Sequence, residues 1–195
     1  MARTGEVARK TAETDVALQL AIDGTGASQI DTGVGFLNHM LTLLSKHGMM
    51  DLQVRCKGDL EVDAHHTVED IGLCLGQALR QAAGDKRGIA RYGTFYVPMD
   101  EALVRVALDF SGRPFFVLRG ALPYALLGQM DTGLVTEFFR AVAMEAGLTL
   151  HIDILAGENA HHMVEGAFKA FGRALRAALT LDAREQGIPS TKGSL

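Results

Sequence analysis

Apolar positions along the chain switch between two spacings, and the switches come twice in the same order. Phe36, Met40, Leu43 and Leu44 recur at helical spacing, as do Leu134, Phe138, Ala141 and Val142. An Asp-Thr-Gly precedes each run, at 31–33 and 131–133, where Asp or Thr can cap free N–H groups. A glycine follows each run, Gly48 or Gly147, and can end it. Alternation then takes over. Met50, Leu52 and Val54 share one strand face; Leu148, Leu150, Ile152 and Ile154 share another. Long helices are predicted next, over about 65–83 and 161–180. β-pattern also precedes each set, at 14–23 and, more strongly, at 93–120, where Val104, Val106, Leu108 and Phe110 alternate. The pattern predicts an α/β fold, an α+β sandwich. Its two internally duplicated halves each run strands, helix, strand, helix, with the helices packed on one face of a small sheet.

The duplication is visible residue by residue. Across 64–82 and 160–178, ten of nineteen residues match, including Glu69/Glu165, Gly76/Gly172 and Arg80/Arg176. Chance would give about one match, so one domain built of two repeats, about 1–90 and 91–195, is expected.

Composition narrows the class. The 195 residues are 48% hydrophobic and 22% charged, with net charge −4 and no long basic run. Nucleic acid is not an expected partner, because phosphate backbones call for clustered Lys and Arg. No apolar stretch approaches the roughly 18 residues that span a membrane. The opening residues have no apolar signal core, and Cys56 and Cys74 form no C-x-x-C; both fit a cytoplasmic protein.

Within the repeat lies the chemistry. "DAHHTVED" at 63–70 returns as "NAHHMVEG" at 159–166. His65 or His66 can meet Glu69 on one helix face, and His161 or His162 can meet Glu165. Imidazole nitrogen with carboxylate oxygen suits Zn²⁺, Mn²⁺, Fe²⁺ or Ni²⁺, whereas a lone helix histidine is usually an ordinary polar residue. Adjacent helix residues point about 100° apart, so each histidine of a doublet should serve a different ion. Two sites follow, each drawing on both copies, within a subunit or across an interface. Aligning "FLNHML" with "LVTEFF" places His39 opposite Glu137, both metal-competent. The symmetric donor set is His39, His65, His66, Glu69, Glu137, His161, His162 and Glu165. His47, near a helix end that favours a partly charged imidazole, and His151, opposite Gln53, read as surface or supporting residues. Mixed N/O ligation with open positions favours Mn²⁺ or Fe²⁺ over a closed structural zinc.

"DTGVGFLNHML", "GDLEVDAHHTVEDIGLCLG", "RYG", "LDFSGRPF", "AHHMVEGAFKAFGRALR" and "IPSTKG" resemble imidazoleglycerol-phosphate dehydratases over nearly the whole chain, Glu13 to Lys192. No phosphatase extension accompanies them, so the monofunctional form is expected. The resemblance implies a cytoplasmic lyase of histidine biosynthesis that converts imidazole-glycerol phosphate to imidazole-acetol phosphate. It also implies two Mn²⁺ per active site and a homo-oligomer of twenty-four subunits with active sites between subunits. Many members carry His where this chain has Glu137; Glu can still ligate, with His151 the fallback donor. Substrate contacts carry over to Glu13, Arg91, Arg113, Lys169, Ser190 and Lys192. Guanidinium forks, an ammonium and a hydroxyl suit a phosphate at Arg91, Arg113, Lys192 and Ser190. The tail would then be a substrate clasp rather than a frayed end.

Metal-held imidazolate would let ring electrons expel the neighbouring hydroxyl, giving a diazafulvene-like intermediate that loses a proton to become the enol. Glu13 is the candidate for proton transfer, with Glu69 and Glu165 as ligands and possible acid–base groups. A metal-dependent hydrolase and a metal-storage protein are the rival readings of the same donors.

Overall fold

The computed structural model describes residues 2–195. In the first half, strands β1 (Thr4–Lys10), β2 (Thr14–Ala21), β3 (Ser28–Asp31) and β4 (Asp51–Gly58) form a sheet of order β1-β2-β4-β3. β3 runs parallel to β4, and the other pairings are antiparallel. Helix α1 (Gly35–Gly48) precedes β4, and α2 (His65–Ala83) follows it. The second half repeats this with β5 (Tyr92–Met99), β6 (Ala102–Asp109) and β7 (Phe115–Arg119). A two-residue hairpin, β8 (Leu126–Leu127) and β9 (Met130–Asp131), leads into α3 (Gly133–Ala146), β10 (Thr149–Ala156) and α4 (Ala160–Leu179). Its sheet order is β5-β6-β10-β7, with the last pair again parallel. Equal order and equal strand polarity are what an internal duplication requires.

Each helix packs on its own sheet and on one helix of the other half, α1 on α4 and α2 on α3. The layers therefore run sheet, helices, helices, sheet. These crossings explain why Gly76 and Gly172 match. A Cβ on Gly76 would lie 2.7 Å from the Val142 carbonyl oxygen, and one on Gly172 would lie 2.8 Å from that of Leu44. Backbone cannot yield as a side chain can. Gly172→Ala should therefore cost about 1–3 kcal/mol through strain at the α1–α4 crossing. An unchanged thermal unfolding midpoint would disprove this.

The fold adds one strand and corrects two expectations. The opening segment holds β1, whose Gly5 and Val7 alternate inward; its polar intervening residues hide the pattern. Helix α1 does not stop at Gly48 through a glycine cap. Gly48 stays helical, buried against Gly172, and Met49 takes the left-handed conformation at φ 53°. Neither helix start is capped by its N-cap side chain: α1 starts at Gly35 after Val34 and α3 at Gly133 after Thr132, although Asp131, one residue earlier, accepts from Gly133 N–H at 2.7 Å.

Candidate active site

The α1–α4 crossing joins residues 126 apart in sequence. His39 Nε2 lies 3.3 Å from Glu165 Oε2, and His161 Nε2 lies 3.1 Å from the same oxygen. Donor atoms of all three side chains fall within 4.8 Å of one another. One turn of α4 sets His161 above Glu165, and Asn159 caps that turn by accepting from His161 N–H at 2.9 Å. Both imidazoles are half exposed, while Glu165 is buried. Burial works to raise the Glu165 carboxyl, but Lys169, with His161 and His39, outweighs it and holds the group below its ordinary value. Lys169 Nζ takes Oε1 at 2.6 Å, which leaves Oε2 facing the imidazoles. Two nitrogens and one carboxylate oxygen around an open point fit a divalent cation of intermediate softness with positions to spare. His39 comes from the first repeat and the other two from the second.

The symmetry-related donors are looser. His65 Nε2 lies 3.8 Å from Glu69 Oε2. Glu137, on α3, gives both oxygens to Arg140 at 2.6 and 2.5 Å. Among the described residues, no equally close group of three forms around His65, Glu69 and Glu137.

The doublets split. Ring centroids are 6.1 Å apart for His65 and His66, and 6.2 Å for His161 and His162, with steeply inclined planes. His66 Nδ1 meets Asp59 at 2.9 Å, and His162 Nδ1 meets Glu101 at 2.8 Å. A carboxylate only accepts, so each Nδ1 is the donor of its pair, which raises both imidazoles above their ordinary value, and each Nε2 sits on the far side of its ring. The hydrogen bond from His162, then those from the Asn159 and Glu158 backbone, pull Glu101 down to about 2. Beyond the Nε2 atoms lie Glu13, 3.7 Å from His66, and Asp100, 3.9 Å from His162. Asp100 and Glu101 lie outside the quoted strings, and Asp59 lies inside one without having been assigned a role. One signal was available for Glu101: like Glu13, it directly precedes the second strand of its half.

Arg91, Arg113, Ser190 and Lys192 line one open cleft of about 780 Å3. The tail is tied down there, with Gly88 N–H donating to Gly187 O at 2.9 Å. Arg91 is already engaged. It forks onto Asp109 at 2.7 and 3.1 Å and donates to the Pro189 carbonyl at 2.7 Å, so it holds the tail. Lys169 is not in this cleft but against Glu165. The cleft sits at the far end of α4, where Arg91 N–H donates to Ala178 O at 2.8 Å. Seventeen residues of helix separate His161 from Ala178, which is about 26 Å at 1.5 Å per residue.

His47 departs from the partly charged imidazole expected at its helix end. Burial first, then Lys169 and Arg173, push its pKa down. His151 lies between Ala107 and Val117 on the sheet face opposite buried Leu150 and Ile152. It faces away from the helices and does not join Glu137 within the chain.

A family model described as Imidazoleglycerol-phosphate dehydratase matches residues 32–175. The chain is 60% identical over 195 residues to the protein of that name from Acetivibrio thermocellus, covering 100% of each. It is 57% identical over 194 residues to the one from Methylorubrum extorquens, covering 99% of this chain and 100% of the relative. The crystal structure of imidazoleglycerol-phosphate dehydratase from Staphylococcus aureus superposes with TM-score 0.83 at 45% identity, over 92% of this chain and 99% of that one. That of IGPD from Pyrococcus furiosus, in complex with (S)-C348, gives 0.84 at 36%, over 97% and 100%.

Proposed function

Because the chain belongs to the imidazoleglycerol-phosphate dehydratase family, we propose that it removes water from imidazole-glycerol phosphate to give imidazole-acetol phosphate, a step of histidine biosynthesis. The observation that carries this is the meeting of His39, His161 and Glu165 from opposite repeats. These residues would hold one divalent cation, Mn²⁺ by ligand type. His65, Glu69 and Glu137, with the outward Nε2 atoms of His66 and His162, are the remaining donors for a second. Bound cations would stabilise the negative charge of the substrate ring once its N–H proton is gone.

The chain's own groups do the rest. Lys169 keeps Glu165 ionised and limits it to one free oxygen. Asp59 and Glu101 fix the rings of His66 and His162. The hydroxyl beside the ring leaves as water, taking up the proton lost from the ring N–H, which leaves a diazafulvene-like intermediate. Glu13, half exposed, takes the proton from the next carbon, the electrons return to the ring, whose nitrogen is reprotonated, and the enol so formed tautomerises to the ketone. Arg113, Ser190 and Lys192 grip the phosphate, with Arg91 holding the tail in reach.

A protomer cannot apply both ends of this machinery to one small substrate, because α4 keeps the donor cluster and the basic cleft about 26 Å apart. The site is therefore completed by neighbouring copies, in a closed homo-oligomer for which twenty-four subunits is our reading.

Chelator-treated protein should form no ketone from imidazole-glycerol phosphate until Mn²⁺ is restored, and should release no inorganic phosphate. Full turnover without metal would end the metal dependence, and phosphate release would favour the hydrolase reading.

A further inference from the structure

The two hairpin turns that approach the histidine doublets have diverged in a correlated way. Glu13 and Glu101 hold the same place, immediately before β2 and β6. Glu101 spends its carboxylate on structure: it accepts from Glu158 N–H at 3.2 Å, Asn159 N–H at 2.8 Å and His162 Nδ1. Glu13 does none of this. Asp59 has taken over the imidazole, and among the described residues the Glu13 carboxylate accepts no hydrogen bond, with His66 Nε2 3.7 Å away.

What holds the Glu13 turn is instead its backbone. Glu13 N–H donates to Thr11 Oγ1 at 3.1 Å, Thr14 N–H donates to the same oxygen at 3.0 Å, and Asp59 N–H donates to Glu13 O at 3.1 Å. The Thr14 hydroxyl, 3.3 Å from Thr11 Oγ1, donates onward to Asp70 Oδ2. Asp70 is buried on α2 next to Glu69, and its other oxygen receives Arg9 Nε at 3.0 Å. In the second half both members of the Thr14–Asp70 pair are replaced: Ala102 stands for Thr14 and Gly166 for Asp70. The pair is present only where the glutamate's carboxylate has no structural task. An interior carboxylate is costly unless each oxygen is matched, so a well-packed apolar pair would serve stability as well.

We propose that Asp70 is a positioning residue: through Thr14 and Thr11 it fixes the Glu13-bearing turn to the helix that carries His66 and Glu69, and so aims a carboxylate kept available for proton transfer. The proposal rests on the reading of Glu13 given above. A displaced general base costs turnover steeply while substrate grip is unaffected.

Four variants test it: Thr14→Val, Thr14→Ser, Asp70→Ala and Glu13→Gln, each assayed for kcat, KM, metal content and hydrogen exchange of residues 11–14. Thr14→Val and Asp70→Ala are expected to lose about ten- to a hundredfold in kcat. KM and metal content should stay within about twofold, with faster exchange in the turn, and Thr14→Ser should recover most of the loss. Normal kcat in Thr14→Val with Glu13→Gln inactive overturns the positioning role alone. Normal kcat in Glu13→Gln overturns the proton-transfer reading and the proposal with it. If Asp70→Ala fails to fold, the Thr14 pair decides.

Discussion

His161→Ala is expected to lose bound cation and at least about a thousandfold in kcat, roughly 4 kcal/mol of transition-state stabilisation. Two features make this the largest single-site effect. His161 supplies one of only two nitrogens in the close donor group, and it shares the Glu165 Oε2 oxygen with His39, while Lys169 takes Oε1. Losing a donor from a set of three weakens the site more than disturbing a group behind it, which typically costs 10–100-fold in metal affinity. Stability should change little, because the imidazole is half exposed. Elemental analysis and steady-state kinetics on the same preparation check the result. Wild-type metal content with wild-type turnover would remove the cluster from the mechanism.

Mixing two inactive proteins should restore activity. Arg113→Ala lacks part of the basic cleft, and His161→Ala lacks part of the donor group; each alone is expected to be nearly dead. If a site takes its donors from one subunit and its cleft from another, unfolding and refolding them together at equal ratio yields about a quarter of the sites intact. The expectation follows from the length of α4, since one rigid helix cannot bring its two ends to the same substrate. Recovery to about a quarter of wild-type turnover is the expected reading. No recovery, in refolded mixtures whose mass shows both chains in one particle, would mean that each protomer works alone.

Legibility in the sequence followed the range of the interactions. The His-His-x-x-Glu strings were readable because a helix places residues three and four apart on one face whatever surrounds it. His39 was reached through the repeat, which converts a distant position into an equivalent one. Glu137 was reached the same way, and within the chain its carboxylate pairs with Arg140, one turn on. Arg91 read as a phosphate fork, yet Asp109, paired with the next residue Tyr92 across β5–β6, takes the fork within the chain. The roles of Asp59 and Glu101 were not legible, since their partners are fixed by where a strand end and a hairpin turn meet a helix start.

By itself, then, the sequence determined the periods, the duplication and the chemical types, because each depends on spacing along the chain. Tertiary structure alone decided which donors meet. Gly48 and Gly172 let α1 and α4 approach closely enough for His39 to reach Glu165. The same packing aims the second histidine of each doublet elsewhere and holds the basic cleft a full helix length away. Contacts of this kind are set by how closely backbones can approach, which no local pattern of residues encodes.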